Sequence, residues 1–173
     1  MSGAKTAKSS KASPARWLTV EEREAWKGLQ QMHAALSAVL NRQLSGQSGL
    51  SLQDYGVLVV LTEQPDGRLR PFELGRELGW EKSRLSHHLS RMAERGLVAR
   101  ESCPADQRGW FVAVTDEGRA AIEAAAPGHV GAVRRSFVDR LTPDQLQAQA
   151  TIARVVLEGL AAGACDESGC GGD

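Results

Sequence analysis

Two short amphipathic segments separated by one tight turn constrain this chain more than any other stretch. The first, residues 71–79, opens on Pro71, whose missing N–H would be an orphan at a helix start anyway. It closes at Gly79, a residue that tolerates a left-handed cap. The second covers residues 81–96, where Leu85, Leu89 and Met92 recur at i, i+4 and i+7 as one helical stripe. At about 100° per residue, Ser83, His87 and Ser90 point away from that stripe, with Arg84, Ser86 and Arg91 on its flanks. Helices joined in this way form a helix-turn-helix, and the second helix of such a unit can lie in a DNA major groove.

A hairpin signal follows directly. Residues 97–101 and 110–114 are short β-prone runs, and residues 102–109 between them are polar and turn-rich. A hairpin beside a recognition helix is a wing, and an arginine at its tip can reach a narrow minor groove. The whole chain has a formal net charge of zero, so its sum announces no polyanionic partner. The distribution does more. Between Trp80 and Arg100, five basic residues (Lys82, Arg84, Arg91, Arg95, Arg100) face two acids (Glu81, Glu94), a local excess of +3.

The rest of the chain supplies helices on both sides. Residues 1–15 are rich in Ser, Ala and Lys and lack periodicity, which predicts a disordered basic tail with scope for extra phosphate contacts. Thr19 and Glu22 form a capping box for a first helix expected to reach about Asn41, followed by a loop over residues 45–49. Ser51 caps a second helix, with Asp54 in its first turn, that stops at Pro65-Asp66-Gly67. Residues 68–70 fit a small third strand. Thr115 caps a helix that Pro127-Gly128 should break or kink, and Thr142-Pro143 starts the last one. Residues 163–173 read as a flexible Cys/Gly tail. The expected fold is mainly α (α+β), with a winged helix-turn-helix lobe at about residues 50–118. Helices at about 16–45 and 119–162 carry more apolar surface than so small a lobe can cover, which points to a twofold homodimer.

Taken in order, six segments resemble the MarR family of transcriptional regulators. They are LTVEEREAW at residues 18–26, LQDYGVL at 52–58, ELGRELG at 73–79, SRLSHHLSRM at 83–92, DQRG at 106–109 and VTDEG at 114–118. The resemblance covers residues 17–160. It implies a homodimer with interlocked terminal helices and two winged lobes on a pseudo-palindromic double-stranded DNA operator. It also implies repression relieved by a small ligand or by oxidation. By the same resemblance Arg108 enters the minor groove and Asp106 steadies the wing, while recognition-helix contacts fall on residues 82–91.

Each candidate has a plainer reading beside it. Arg84 and Arg91 are suited to guanine edges or phosphates, but equally to a solvated helix flank. Lys82, Ser83, Ser86 and His87 join them as DNA-contact candidates, whereas His88 lies nearer the core and should pack. Asp106 alone makes a turn, and Arg108 alone is a solvated cation. By the same resemblance Trp17, Trp26 and His33 lie where relatives line an effector pocket, a place suited to a phenolic ligand, though aromatic residues on such a helix more often serve core or dimer contacts. Cys103 at the wing base is the redox candidate, on the strength of nearby Arg100 and Arg108, against a bland reading of three incidental thiols with Cys165 and Cys170. Neither a metal site nor a cofactor motif is recognisable, and His87 and His88 point to different sides of their helix. No catalytic constellation appears, no apolar run spans a bilayer and no secretory leader is evident, so a cytoplasmic, non-enzymatic protein is expected. The competing function is a winged-helix module that binds protein rather than specific DNA. The basic outward face of residues 83–91 argues against it, since a protein surface would present apolar or aromatic anchors there.

Overall fold

The computed structural model describes residues 16–103 and 106–168, leaving aside the side chains of residues 103, 106–108 and 163–168. The described elements are α1 (Val20–Ser48), α2 (Leu52–Thr62), β1 (Arg68–Leu69), α3 (Pro71–Leu78), α4 (Lys82–Glu94), β2 (Val98–Cys103), β3 (Asp106–Val114), α5 (Asp116–Ser136), a 3-10 turn (Val138–Arg140) and α6 (Pro143–Ser168). By packing, the chain divides into residues 1–35 and residues 36–173.

The first unit is organised by its helix start. The Thr19 N–H donates to Glu22 Oε2 at 2.8 Å, and the Glu22 N–H donates to Thr19 Oγ1 at 3.2 Å, closing the expected capping box.

In the second unit the core lies where α2, α3, α4 and the sheet meet. Leu44, Leu50, Val57, Leu58, Leu61, Leu74 and Met92 are each buried to 1% exposure or less, and Leu85 and Leu89 join them. The sheet order is β1-β3-β2 and both pairings are antiparallel. Leu69 pairs with Val112, and Arg100 pairs with Val112 from the other side, so the middle strand β3 is covered on both edges at its root. Ser51 accepts from the Asp54 N–H at 3.0 Å while the Ser51 N–H donates to Asp54 Oδ2 at 2.8 Å, a second capping box. Thr115 and Thr142 cap as expected, accepting from the Gly118 N–H at 2.9 Å and the Gln145 N–H at 3.3 Å.

Four expectations need correction. The first helix does not end near Asn41 with a loop at residues 45–49, because Leu44 is fully buried and holds the next turn down. Gln43 Nε2 donates to Gln47 Oε1 at 2.7 Å, and only Gly49, at φ 68°, turns the chain out of the helix. Pro127-Gly128 does not break α5, which is continuous from Asp116 to Ser136. Proline removes one N–H donor from the ladder, and the buried residues Ile122, Ala125 and Ala132 on either side keep the helix seated. The last helix carries past Leu160 to Ser168, since a run rich in alanine tolerates the cost of Gly163. Finally, the wing strands reach into the expected turn, to Cys103 and from Asp106, with an irregular register at Ser102/Cys103. The expected tail at residues 1–15 and residues 169–173 lie outside the described residues.

Candidate nucleic-acid interface

The apolar stripe of α4 decides which way its polar residues face. Leu85, Leu89 and Met92 are 3%, 6% and 0% exposed. With that side fixed in the core, Lys82, Ser83, Arg84, Ser86, His87, Ser90 and Arg91 are all exposed on the remaining arc. The helix is set at close range to α3. A Cβ on Gly75 would stand 3.3 Å from the Trp80 carbonyl oxygen and 3.4 Å from Leu85 Cδ2, so the turn between the helices is tightly packed. Gly79, at φ 63°, takes the left-handed conformation that the turn requires.

Two arginines of α4 are held by neighbours. The Arg84 guanidinium lies 4.6 Å from the Trp80 ring centroid, and the Trp80 and His88 rings lie nearly perpendicular with centroids 5.1 Å apart. Arg91 Nη2 is 3.2 Å from His88 Nδ1. Arginine can only donate, so Nδ1 accepts and the imidazole proton sits on Nε2, facing Asp54 Oδ1 at 3.0 Å. That contact is close but poorly aligned for a hydrogen bond. Burial holds His88 below the usual histidine range, more strongly than Asp54 draws it up, and Arg91 adds to the lowering.

Asp54 is the buried anchor of this group, at 3% exposure. It receives Arg95 Nη1 at 2.7 Å, and Arg95 Nη2 also reaches the Gly49 carbonyl at 2.9 Å. Burial pushes the Asp54 carboxyl up, but Arg95 and the Ser51 backbone and hydroxyl outweigh it and leave the group below the usual carboxylate range. A recess of about 460 Å³ opens beside these residues, lined by Gln53, Asp54, Arg84, His88, Arg91 and Arg95 among others. A second, of about 810 Å³, lies between α3, the front of α4 and the wing root, with Phe72, Trp80, Leu89 and Trp110 on its walls. On the wing, Arg100 stacks over Trp110 at 4.4 Å, and Arg68 and Arg70 each lie 5.1 Å from the Phe111 ring centroid.

A sequence profile of the MarR family matches residues 48–109. Sco3205, a MarR family transcriptional regulator from Streptomyces coelicolor solved in complex with DNA, is 44% identical; the match covers 83% of this chain and 94% of that one, with a TM-score of 0.79. The chain belongs to the MarR family. AbsC, another MarR family regulator from the same organism, is 36% identical over 86% of this chain and 99% of its own, with a TM-score of 0.80. The transcriptional repressor YetL of Bacillus subtilis is 30% identical over 107 residues, 60% of this chain and 64% of that repressor. This MarR chain is accordingly a transcriptional regulator rather than an enzyme. Among the described residues, no helix is long and apolar enough to cross a membrane.

The fold gathers Lys82, Ser83, Arg84, Ser86, His87 and Arg91 on one exposed face, as the periodicity of α4 required. Arg108 and Asp106 fall on strand β3, not in the turn at the tip, and their side chains lie outside the described residues. So does that of Cys103, the redox candidate, together with those of Cys165 and Cys170. Trp17 and Trp26 are 88% and 54% exposed on the single chain, His33 is exposed as well, and none of the three lines either recess. Sequence reasoning did not foresee that Asp54, Arg95 and Trp80 back the exposed face of α4. Asp54 was legible only as a cap, and Arg95, 41 residues away, carries no local signal of their pairing.

Proposed function

We propose that this MarR regulator binds operator DNA as a homodimer, placing α4 in the major groove and the wing, with Arg108 and Asp106, at the adjacent minor groove. The observation that carries the reading is the outward arc of α4, where Lys82, Ser83, Arg84, Ser86, His87 and Arg91 stand exposed while the opposite stripe is buried. Arginine on such an arc suits bidentate contact with guanine, and serine and lysine suit phosphates. Dimerisation is supported by α6, where Ile152, Val155, Val156, Leu157 and Leu160 are 54–67% exposed, an apolar surface that a second chain would cover. Repression is the outcome carried over from the Bacillus subtilis relative. Relief by a small phenolic ligand near Trp17, Trp26 and His33, or by oxidation at Cys103, is the regulatory part of the proposal. The site of action is the cytoplasm.

The test is footprinting on the DNA flanking the gene, repeated with phenolic compounds and with peroxide. A protected inverted repeat with half-sites about one helical turn apart is expected. Binding no tighter than to shuffled duplex at physiological salt, or a monomer by light scattering at the binding concentration, overturns the proposal. Replacing Arg108 with Ala should weaken binding to every sequence and, if the contact is to phosphate, reduce the salt slope by about one.

A further inference from the structure

Arg84 and Arg91 are long, exposed side chains, and ordering such a chain on binding costs affinity. The structure places both against neighbouring rings. Arg84 is stacked at 4.6 Å over Trp80, a residue of the turn before α4, and Arg91 is bonded at 3.2 Å to the buried His88. The two supports meet each other, since the Trp80 and His88 rings lie nearly perpendicular with centroids 5.1 Å apart, and His88 in turn backs onto Asp54 of α2 at 3.0 Å. His88 is 8% exposed and Trp80 is half-buried with the Arg84 guanidinium over its ring, so the arginines are the more exposed groups.

We propose that Trp80 and His88 are positioning residues for DNA recognition: the indole face presets the Arg84 guanidinium and the imidazole presets that of Arg91, so that operator preference depends on two residues that do not contact DNA. This rests on the reading that α4 carries the DNA contacts. A guanidinium fixed in plane on an aromatic face keeps its outer N–H fork free for a bidentate partner. A freely rotating arginine would still attract phosphates, as a charge, but would lose its bias toward one base edge. The signature of the arrangement is therefore a loss of discrimination with little loss of non-specific affinity.

The experiment is a double-mutant cycle, read by fluorescence anisotropy on two duplexes: the protected segment of the flanking DNA and a shuffled duplex of the same composition. Trp80→Leu should lower the ratio of the two affinities about fivefold while leaving shuffled-duplex binding and its salt slope within about twofold of wild type; Trp80→Phe, which keeps an aromatic face, should largely restore the ratio. In an Arg84→Ala background, Trp80→Leu should change the ratio by less than about twofold, and His88→Leu should behave the same way in an Arg91→Ala background. Independent, additive losses in both cycles overturn the positioning proposal and leave DNA contact by the arginines intact. An unchanged ratio in both Arg84→Ala and Arg91→Ala overturns the α4 contacts themselves, and this proposal with them. Should Trp80→Leu fail to fold, Trp80→Met, an unbranched side chain able to fill the same space, replaces it in the cycle.

Discussion

Replacing Asp54 with Ala removes a carboxylate that ties three parts of the lobe together. The Ser51 N–H loses its acceptor at 2.8 Å, Arg95 loses a 2.7 Å ion pair, and His88 loses the oxygen 3.0 Å from its Nε2. Losing half a capping box costs about 1 kcal/mol. Breaking a fully buried pair would cost about 3–5 kcal/mol. The Arg95 side chain is 44% exposed, however, and water recovers it, so that part falls to about 1 kcal/mol. His88 Nε2 already meets Asp54 in poor alignment, so losing that oxygen adds at most about 1 kcal/mol. The expected loss is about 2–3 kcal/mol, or about 4–12 °C in Tm for a chain of this size. Asp54→Asn, which keeps an acceptor oxygen, should lose about half as much. The assay is urea unfolding at fixed protein concentration, with midpoints compared at constant slope. The pH dependence gives a second signature. The folded pKa of Asp54 is depressed, so its contribution is present above the unfolded carboxylate range and is lost as pH falls through the lower folded value. Wild type should show this acid limb and Asp54→Ala should lack it. A loss under about 1 kcal/mol, or identical Ala and Asn variants, would refute the reasoning.

Three further outcomes are expected. Gly118→Ala should destabilise by about 1–3 kcal/mol despite the better helix propensity of alanine, because its Cβ would collide with the Leu97 carbonyl; thermal melting gives the sign directly. Pro127→Ala should stabilise by about 1–3 kcal/mol, since it returns an N–H donor to the interior of α5, and a denaturant midpoint that drops instead would show that the proline serves packing. His88 and His129 both have folded pKa values held down by burial, so the unfolded chain takes up their protons first and stability should fall as pH drops from about 6.5 toward the folded values. Melting curves of His88→Gln and His129→Gln between neutral and mildly acid pH should be flatter than wild type.

What the sequence made legible was local. Capping residues announced four helix starts, at Thr19, Ser51, Thr115 and Thr142, because a hydroxyl and the amide it satisfies are three residues apart. The stripe of Leu85, Leu89 and Met92 oriented α4, and with it every outward-facing candidate on that helix. What stayed hidden depended on tertiary packing. The first helix looked as if it ended near Asn41, with a loop at residues 45–49, yet burial of Leu44 carries it on to Ser48. Pro127 looked like a breaker, but a helix seated by Ile122, Ala125 and Ala132 spans it. His88 was placed correctly near the core, while its partners Asp54 and Trp80 come from other elements and could not be paired with it by spacing alone.

The joint at the front of α5 has a mechanical consequence. Thr115 Oγ1 donates to the Gly96 carbonyl at 2.6 Å, the Thr115 N–H donates to the Leu97 carbonyl at 3.3 Å, and Gly118 lies flush against that same carbonyl. Gly96 and Leu97 are two of the three residues that link the end of α4 to the root of β2. A rotation of α5 would therefore act first on this joint, and through it on the end of α4 and the start of β2 together.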